Sequence, residues 1–253
     1  MFDQYLFNVN LKKHELRFAS KSFIKNEIAE RLLDKLSFIT SNPIHIYVEG
    51  MEEYLDKIKV INSKAKISHT FDPKDSYDMI ISHCKIQQRA NINSQLKNWH
   101  KQLKPQGVLV FTSFGSDTLK QIKKAWQLID GMVHINQMLD MHDIGDLLNK
   151  EQYQSVVMDT ETLNLEYENM ATLLDDIRTL NEPLADTNMR KTFTGKQRWQ
   201  NFCNRLTKHG FLISYEVFYG YGYKGNEYIA RKKDDQQAII SFNQLRDALK
   251  YKK

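Results

Sequence analysis

Residues 43–60, PIHIYVEGMEEYLDKIKV, have the residue order of a strand, a glycine turn and a helix. In α/β nucleotide-binding proteins such a turn lets the backbone approach a cofactor, because glycine has no Cβ atom. Here Gly50 stands among three carboxylates, Glu49, Glu52 and Glu53. A second apolar stretch ends in an acidic residue, Asp72. The pattern therefore predicts a cofactor site at the carboxyl ends of two strands, with unusual negative charge in its first turn.

The elements that would position this site alternate between strand and helix. Predicted strands cover residues 44–48, 67–71, 79–82 and 108–114, and predicted helices cover residues 26–38, 54–61 and 95–103. Such alternation favours a parallel sheet with crossover helices, an α/β fold.

The second half of the chain has a helical pattern. Helices are predicted over residues 117–130, 140–148, 170–180 and 195–208, and an aromatic-rich strand over residues 211–224. The predicted organisation is a Rossmann-like core in residues 1–116, a helical lid or substrate region in 117–208, strands completing the sheet in 209–230, and a basic helical tail in 231–253.

Composition narrows the function. The chain has 253 residues, 41% of them hydrophobic and 26% charged, and a formal net charge of +5. It contains no apolar run long enough to span a membrane and no secretory pattern, so a cytoplasmic protein is expected. Its cations are interleaved with acids, which disfavours nucleic-acid binding. Cys84 and Cys203 lie far apart without metal-binding spacing, so neither a zinc site nor any other metal site is predicted.

Five segments carry a family resemblance. In chain order they are FTSFGSDTLKQIKKAWQLID, HINQMLDMHDIGDLL, VVMDTETLNLEYENMATLLDDIR, FTGKQRW and ISYEVFYGYGYK. Together they resemble the malonyl-acyl carrier protein O-methyltransferases of biotin synthesis, over residues 26–224. The resemblance implies a class I methyltransferase fold, reduced and Rossmann-like, with a helical lid. It also implies methyl transfer from S-adenosylmethionine to the free carboxylate of a malonyl group on the carrier protein.

The resemblance assigns a set of cofactor-binding positions. Tyr47 takes the place of the family's aspartate, and Glu49, Met51 and Glu53 take the places of its loop glycines around Gly50. Asp72 matches the ribose-binding acid, and Ser82 and His83 end the next family strand.

The sequence departs from the family at three places. The bulk and charge of the residues at the glycine positions oppose an approaching cofactor, unless Glu49 faces solvent and Glu52 and Glu53 begin a helix. The helix, third strand and loop that would cup adenine are missing between Asp72 and Tyr77. Phe18 replaces the family's tyrosine near the reacting carboxylate. These departures predict that ordinary binding of S-adenosylmethionine is lost, so the cofactor is S-adenosylmethionine in an active protein and none in a degenerate one.

Two residues are candidates for contact with substrate. By the resemblance, Arg178 would hold the malonyl carboxylate, although it could instead pair with Asp175 or Asp176 on its own helix. His142 could orient substrate, or it could belong to a capped helix start beside Asp140.

Two interpretations follow. The chain is either an active carboxyl methyltransferase with a rebuilt cofactor site, or a non-catalytic relative that keeps a surface for the acyl carrier protein. For that acidic partner the sequence predicts one basic rim containing Lys101, Lys104, Lys120 and Lys124. Nothing in the sequence indicates an oligomeric state.

Overall fold

The computed structural model describes residues 2–17, 22–39, 41–208, 210–226, 231–233 and 237–239. Its centre is a six-stranded sheet with the strand order β2-β1-β3-β4-β6-β5. The strands are β1 His45–Glu49, β2 Lys66–Ser68, β3 Tyr77–His83, β4 Leu103–Phe114, β5 Tyr153–Glu166 and β6 Leu212–Lys224. The first four strands pair in parallel, and β6 enters antiparallel between β4 and β5.

Helices cover both faces of this sheet. They are α1 Gln4–Arg17, α2 Phe23–Leu36, α3 Leu55–Ile61, α4 Ile92–Gln102, α5 Lys120–Gln127, α6 Met141–Lys150, α7 Met170–Thr179 and α8 Lys196–Thr207. Apolar side chains from α2, α3, α5, α7 and α8 form one core cluster with the sheet, and those from α4 and α6 form the other. The two clusters make an α/β/α arrangement in which the carboxyl ends of β1, β3 and β4 point towards the same edge.

Helix α2 shows how the sequence builds this arrangement. Ile28, Leu32 and Leu36 are buried at helical spacing, so one stripe packs on the sheet. The hydroxyl of Ser22 accepts a hydrogen bond from the backbone N–H of Lys25, which caps the helix at its first turn. The capping residue places Lys25 at the end of the helix that lies nearest the carboxyl ends of the strands.

The predicted α/β fold with its parallel strands is confirmed. Strand β2 is shorter than predicted and lies at the edge of the sheet, and residues 69–76 alone connect it to β3. In the described residues no further strand pairs with β2, which matches the shortened family pattern. The region predicted to supply a helical lid, residues 117–208, also contains a strand that was not predicted, because β5 lies within it. Helix α1 was not predicted.

The predicted basic rim is also wrong. Lys104 lies at the beginning of β4 and pairs with Asp78 at 3.0 Å, whereas Lys120 follows the end of the same strand and pairs with Asp117 at 2.9 Å. A strand of this length separates the two lysines by about 30 Å at 3.3 Å per residue, so they do not share a rim.

Some predictions fall outside the described residues. Phe18 is one, and so is most of the predicted helical tail. Within that tail, Arg231–Lys233 and Gln237–Ile239 pair as two short antiparallel strands. In the described part, no helix combines the length and the apolar character needed to cross a bilayer.

Candidate functional site

A cavity of about 380 Å³ opens at the carboxyl ends of β1 and β3. The turn after β1 forms one wall, and the first turn of α2 together with the segment after α7 forms the others. The lining residues are Glu15, Ser22, Lys25, Asn26, Gly50, Met51, Glu52, Glu53, Tyr54, His83, Lys85, Thr179 and Asn181. This is the edge of the sheet where open α/β proteins bind their ligands.

Gly50 makes the turn after β1 possible. Its φ of +77° is a conformation that residues with a side chain rarely adopt, and a Cβ atom there would lie 2.3 Å from the carbonyl oxygen of His83. The backbone N–H of Gly50 donates to Glu52 Oε1 at 3.0 Å. Glu52 and Glu53 lie in the first turn of a short 3₁₀ helix, as expected for acids at a helix start.

Glu49 is the centre of a buried polar cluster. Its carboxylate accepts hydrogen bonds from the hydroxyls of Ser82, at 2.7 Å, and Tyr47, at 3.2 Å. It also pairs with Arg89 Nη2 at 3.1 Å. The expectation that Glu49 could face solvent is wrong, since only 9% of the residue is exposed. Burial, and then the charge of Glu49, raises the pKa of Tyr47, which therefore stays protonated as a donor. The cluster braces β1 against β3 beneath the glycine turn.

His83 ends β3 with a neutral imidazole. Its Nδ1 lies 2.8 Å from Thr112 Oγ1 on β4. Burial, and then the positive charge of Lys25, lowers the pKa of His83 to about 3. Burial likewise raises the pKa of the Cys84 thiol to about 11, so this thiol is not a nucleophile at neutral pH. His83 therefore adds a buried neutral group to the cavity wall rather than a cation.

Glu182, which was not predicted from the sequence, connects the segment after α7 to the first turn of α2 and to the segment after β3. Its Oε1 accepts from Lys25 Nζ at 3.1 Å, from Gln87 Nε2 at 3.0 Å and from Gln88 Nε2 at 2.8 Å. Beside it, Asn181 has a φ of +51° and a buried Oδ1 with no partner among the described residues. Because Asn181 lines the cavity, its unpaired Oδ1 could accept a hydrogen bond from a donor group of a ligand.

Three predicted residues belong neither to this cavity lining nor to the cluster of Tyr47, Glu49 and Ser82 beneath the turn. The exposed Asp72 accepts from the backbone N–H of Lys74 at 2.9 Å, which closes a turn. The exposed His142 is the second residue of α6, and its backbone N–H donates to the capping carboxylate of Asp140 at 2.8 Å. Arg178 pairs with Asp175 at 2.7 Å on the outer side of α7. It immediately precedes Thr179, which does line the cavity.

The donor set of the cavity indicates what it could hold. Lys25 and Lys85 supply positive charge, Glu52 and Glu53 supply negative charge, and Asn181 supplies a free acceptor. This mixture fits the zwitterionic amino-acid end of S-adenosylmethionine. It does not reproduce the family's contacts to the adenosine end, because Asp72 lies outside the lining. Across the described residues, no group of three or more His, Cys, Asp or Glu side chains could hold a metal ion.

A mainly parallel sheet with an antiparallel strand inserted near its edge, and a cavity at the carboxyl ends of β1 and β3, defines the class I methyltransferase architecture. No family model matches the chain. A malonyl-[acyl-carrier protein] O-methyltransferase of Laribacter hongkongensis is 34% identical over 172 residues, 66% of this chain and 58% of that protein. One of Coxiella burnetii is 29% identical over 276 aligned positions, 96% of this chain and 97% of that protein. The chain is therefore similar to malonyl-[acyl-carrier protein] O-methyltransferases, to one of them over nearly the whole length of both chains.

Solved structures with similar folds are distant in sequence. The YcgJ protein of Bacillus subtilis is 10% identical with a TM-score of 0.48, and the alignment covers 78% of this chain and 99% of that one. The N-methyltransferase NodS of Bradyrhizobium japonicum, solved with S-adenosylhomocysteine, is 9% identical with a TM-score of 0.40 and covers 84% of this chain and 97% of that one.

Proposed function

We propose that this chain is a carboxyl O-methyltransferase that esterifies the malonyl group carried by acyl carrier protein, with S-adenosylmethionine as the methyl donor. The observation that carries the proposal is the relationship to the Coxiella burnetii protein, which extends over 96% of this chain and 97% of that one. The role in biotin synthesis follows from the same family.

Methyl transfer to a carboxylate makes few chemical demands on the protein. The carboxylate is already a nucleophile, so positioning and exclusion of water matter more than proton transfer. The reaction does not need a general acid or base, so the buried and neutral imidazole of His83 is not required to transfer a proton.

The methyl donor and the malonyl carboxylate must each be bound by side chains of the protein. S-adenosylmethionine, when bound, supplies the electrophilic methyl group. We assign its amino-acid end to the cavity, with Lys25 facing the carboxylate, Glu52 or Glu53 facing the ammonium group, and the Gly50 turn close to both. Tyr47, Glu49 and Ser82 support that turn from below.

The malonyl carboxylate needs a cation at the mouth of the cavity. Arg178 is our candidate because it adjoins the lining residue Thr179, and its pairing partner Asp175 is exposed and easily exchanged for a substrate carboxylate. His142 remains the second candidate for contact with substrate.

The deciding experiment incubates the purified chain with malonyl-acyl carrier protein and S-adenosylmethionine and measures the methyl ester by intact-protein mass spectrometry. Arg178→Gln should lower kcat/KM at least tenfold by removing a charge-assisted contact worth about 1.5–3 kcal/mol. Asp175→Asn is the matched control, because it removes the charge of the ion-pair partner but keeps the guanidinium, and it should leave the rate within twofold of wild type.

Calorimetric titration with S-adenosylhomocysteine separates the two interpretations of the sequence. Binding together with ester formation supports the active enzyme. Failure of both, in a folded chain that still binds carrier protein, would refute the proposed activity and identify a non-catalytic member of the family.

A further inference from the structure

One side of the helical region carries positive charge with little compensation. Residues 187–215 contain six Lys or Arg and no Asp or Glu. They include α8, which packs on α5 through Trp126 and Phe202, whose rings are stacked 4.4 Å apart. Helix α5 adds Lys124, which is exposed on the same pair of helices. A surface with charge of one sign attracts a partner of the opposite sign.

The positively charged residues are concentrated at the beginning of α8, where the loop after α5 contacts the loop before α8. Val133, after α5, pairs with Met189, before α8. Arg190 and Arg198 approach Asp130 Oδ2 at 3.8 and 3.7 Å, so the carboxylate at this junction is already shared by two guanidinium groups. Lys191 and Lys196 are exposed, and among the described residues neither ammonium group has a carboxylate oxygen within 4.0 Å. Their charge is therefore available to a partner.

The same junction exposes large apolar side chains. Phe193 is 99% exposed, Leu128 67% and Met132 49%. Arg190 Nε donates to the carbonyl oxygen of Phe193 at 3.3 Å, which holds the loop that carries the aromatic ring. Aromatic side chains surrounded by polar residues are the usual anchors of protein interfaces. A cavity of about 360 Å³ lined by Trp126, Met132 and His134 lies at the same junction.

We propose that this surface docks the acidic acyl carrier protein. We define the cationic loop surface by Leu128, Met132, Lys191, Phe193, Lys196 and Arg198. The partner's identity rests on the proposed function, whereas its negative charge and its apolar contact follow from the residues of the surface. The exposed ring of Phe193 lies with the exposed aliphatic side chains of Leu128 and Met132 among cations, and an apolar centre with a charged rim is the composition of a protein interface.

The test measures binding of carrier protein without its prosthetic arm, by fluorescence anisotropy at 50 and 500 mM salt. Lys191→Glu/Lys196→Glu should weaken binding at least tenfold at 50 mM salt. The ratio of the dissociation constants of variant and wild type should fall below threefold at 500 mM salt, where the Debye screening length is about 4 Å. Phe193→Ala should weaken binding about fivefold at both salt concentrations, because its contribution is apolar.

A matched control is available on α4. Lys97→Glu/Lys101→Glu reverses the same number of exposed charges on another part of the surface. Its binding should stay within twofold of wild type. Equal weakening by both double variants would overturn the proposal, because net charge alone would then explain it.

Methylation of malonyl-coenzyme A separates the docking surface from the chemistry. The Lys191→Glu/Lys196→Glu variant should methylate this small thioester at the wild-type rate and lose turnover only on malonyl-acyl carrier protein. If the wild type methylates neither thioester, the proposed activity fails while the binding measurements still decide the docking surface. Tighter and equally variant-sensitive binding to a mixed-sequence DNA duplex or to anionic phosphatidylserine vesicles would overturn the choice of a carrier protein.

Discussion

Replacing Glu49 by Ala should destabilise the protein, because the carboxylate is the common acceptor of the cluster beneath the glycine turn. Its removal leaves the buried hydroxyls of Ser82 and Tyr47 without their acceptor. Each unsatisfied buried donor costs about 1–3 kcal/mol. The pair with Arg89 adds less than about 1 kcal/mol, because that guanidinium side chain is 40% exposed. Relief from burying a charge offsets part of the loss.

The expected loss in the free energy of unfolding is about 3 kcal/mol. Urea unfolding followed by far-ultraviolet circular dichroism measures it, and the melting temperature should fall by about 6–12 °C for a chain of this size. Glu49→Gln keeps the shape and one acceptor oxygen, so its loss should be about 1–2 kcal/mol. Glu168→Ala, which removes an exposed carboxylate, should change stability by less than about 0.5 kcal/mol.

Two results would refute this account of Glu49. One is a Glu49→Ala protein within 0.5 kcal/mol of wild type, which would show that the turn does not depend on the cluster. The other is a Glu49→Gln protein no more stable than Glu49→Ala, which would mean that the loss of charge, common to both variants, and not the loss of hydrogen-bond acceptors, accounts for the effect.

The remaining predictions concern the two residues that meet at the turn. Because the pKa of His83 is lowered to about 3 in the fold, its contribution to stability is complete above its ordinary pKa of 6.5 and is lost as the pH falls from 6.5 towards 3. Relative to His83→Asn, the wild type should lose about 2 kcal/mol between pH 7 and pH 5 in urea titrations, and parallel pH profiles would contradict the buried neutral imidazole. Gly50→Ala should cost about 2–4 kcal/mol, since its Cβ would meet a backbone carbonyl and its φ is +77°. Gly131→Ala, where a Cβ meets nothing within 4 Å, is its control, and equal losses in the two variants would show that the contact with His83 is not what requires glycine.

Local patterns predicted much of the fold. The segment from β1 to α3 has a short apolar stretch, a glycine and acids at a helix start, and the strand, the turn and the helix that these indicate lie where the sequence predicts them. Strand β5 was missed because it lies at the edge of the sheet and most of its side chains are half-buried or exposed. Even an apolar side chain of this strand, that of Val157, is 58% exposed. The pattern of buried apolar residues that usually indicates a strand is therefore weak in this segment. Helix α1 likewise has few buried side chains and no apolar stripe.

The candidate site was predicted in part for a related reason. Gly50, Met51 and His83 follow directly from two strand ends, and they line the cavity. The contact between Lys25 and Glu182 spans 157 residues, so no spacing in the sequence could reveal it. Asp72 was assigned to a ligand by its position after β2, but a nearby backbone N–H is a closer partner for its carboxylate.

The place of β6 in the sheet has a consequence for biosynthesis. It is the last of the six strands to be made, yet it lies between β4 and β5, and within the described part of the chain β5 pairs with no other strand. Until residues 212–224 have left the ribosome, β4 presents an open edge and β5 has no neighbour. The nascent chain therefore holds two unpaired strand edges from the synthesis of β5 until that of β6, and this is the period when pairing with other chains and recruitment of chaperones are favoured.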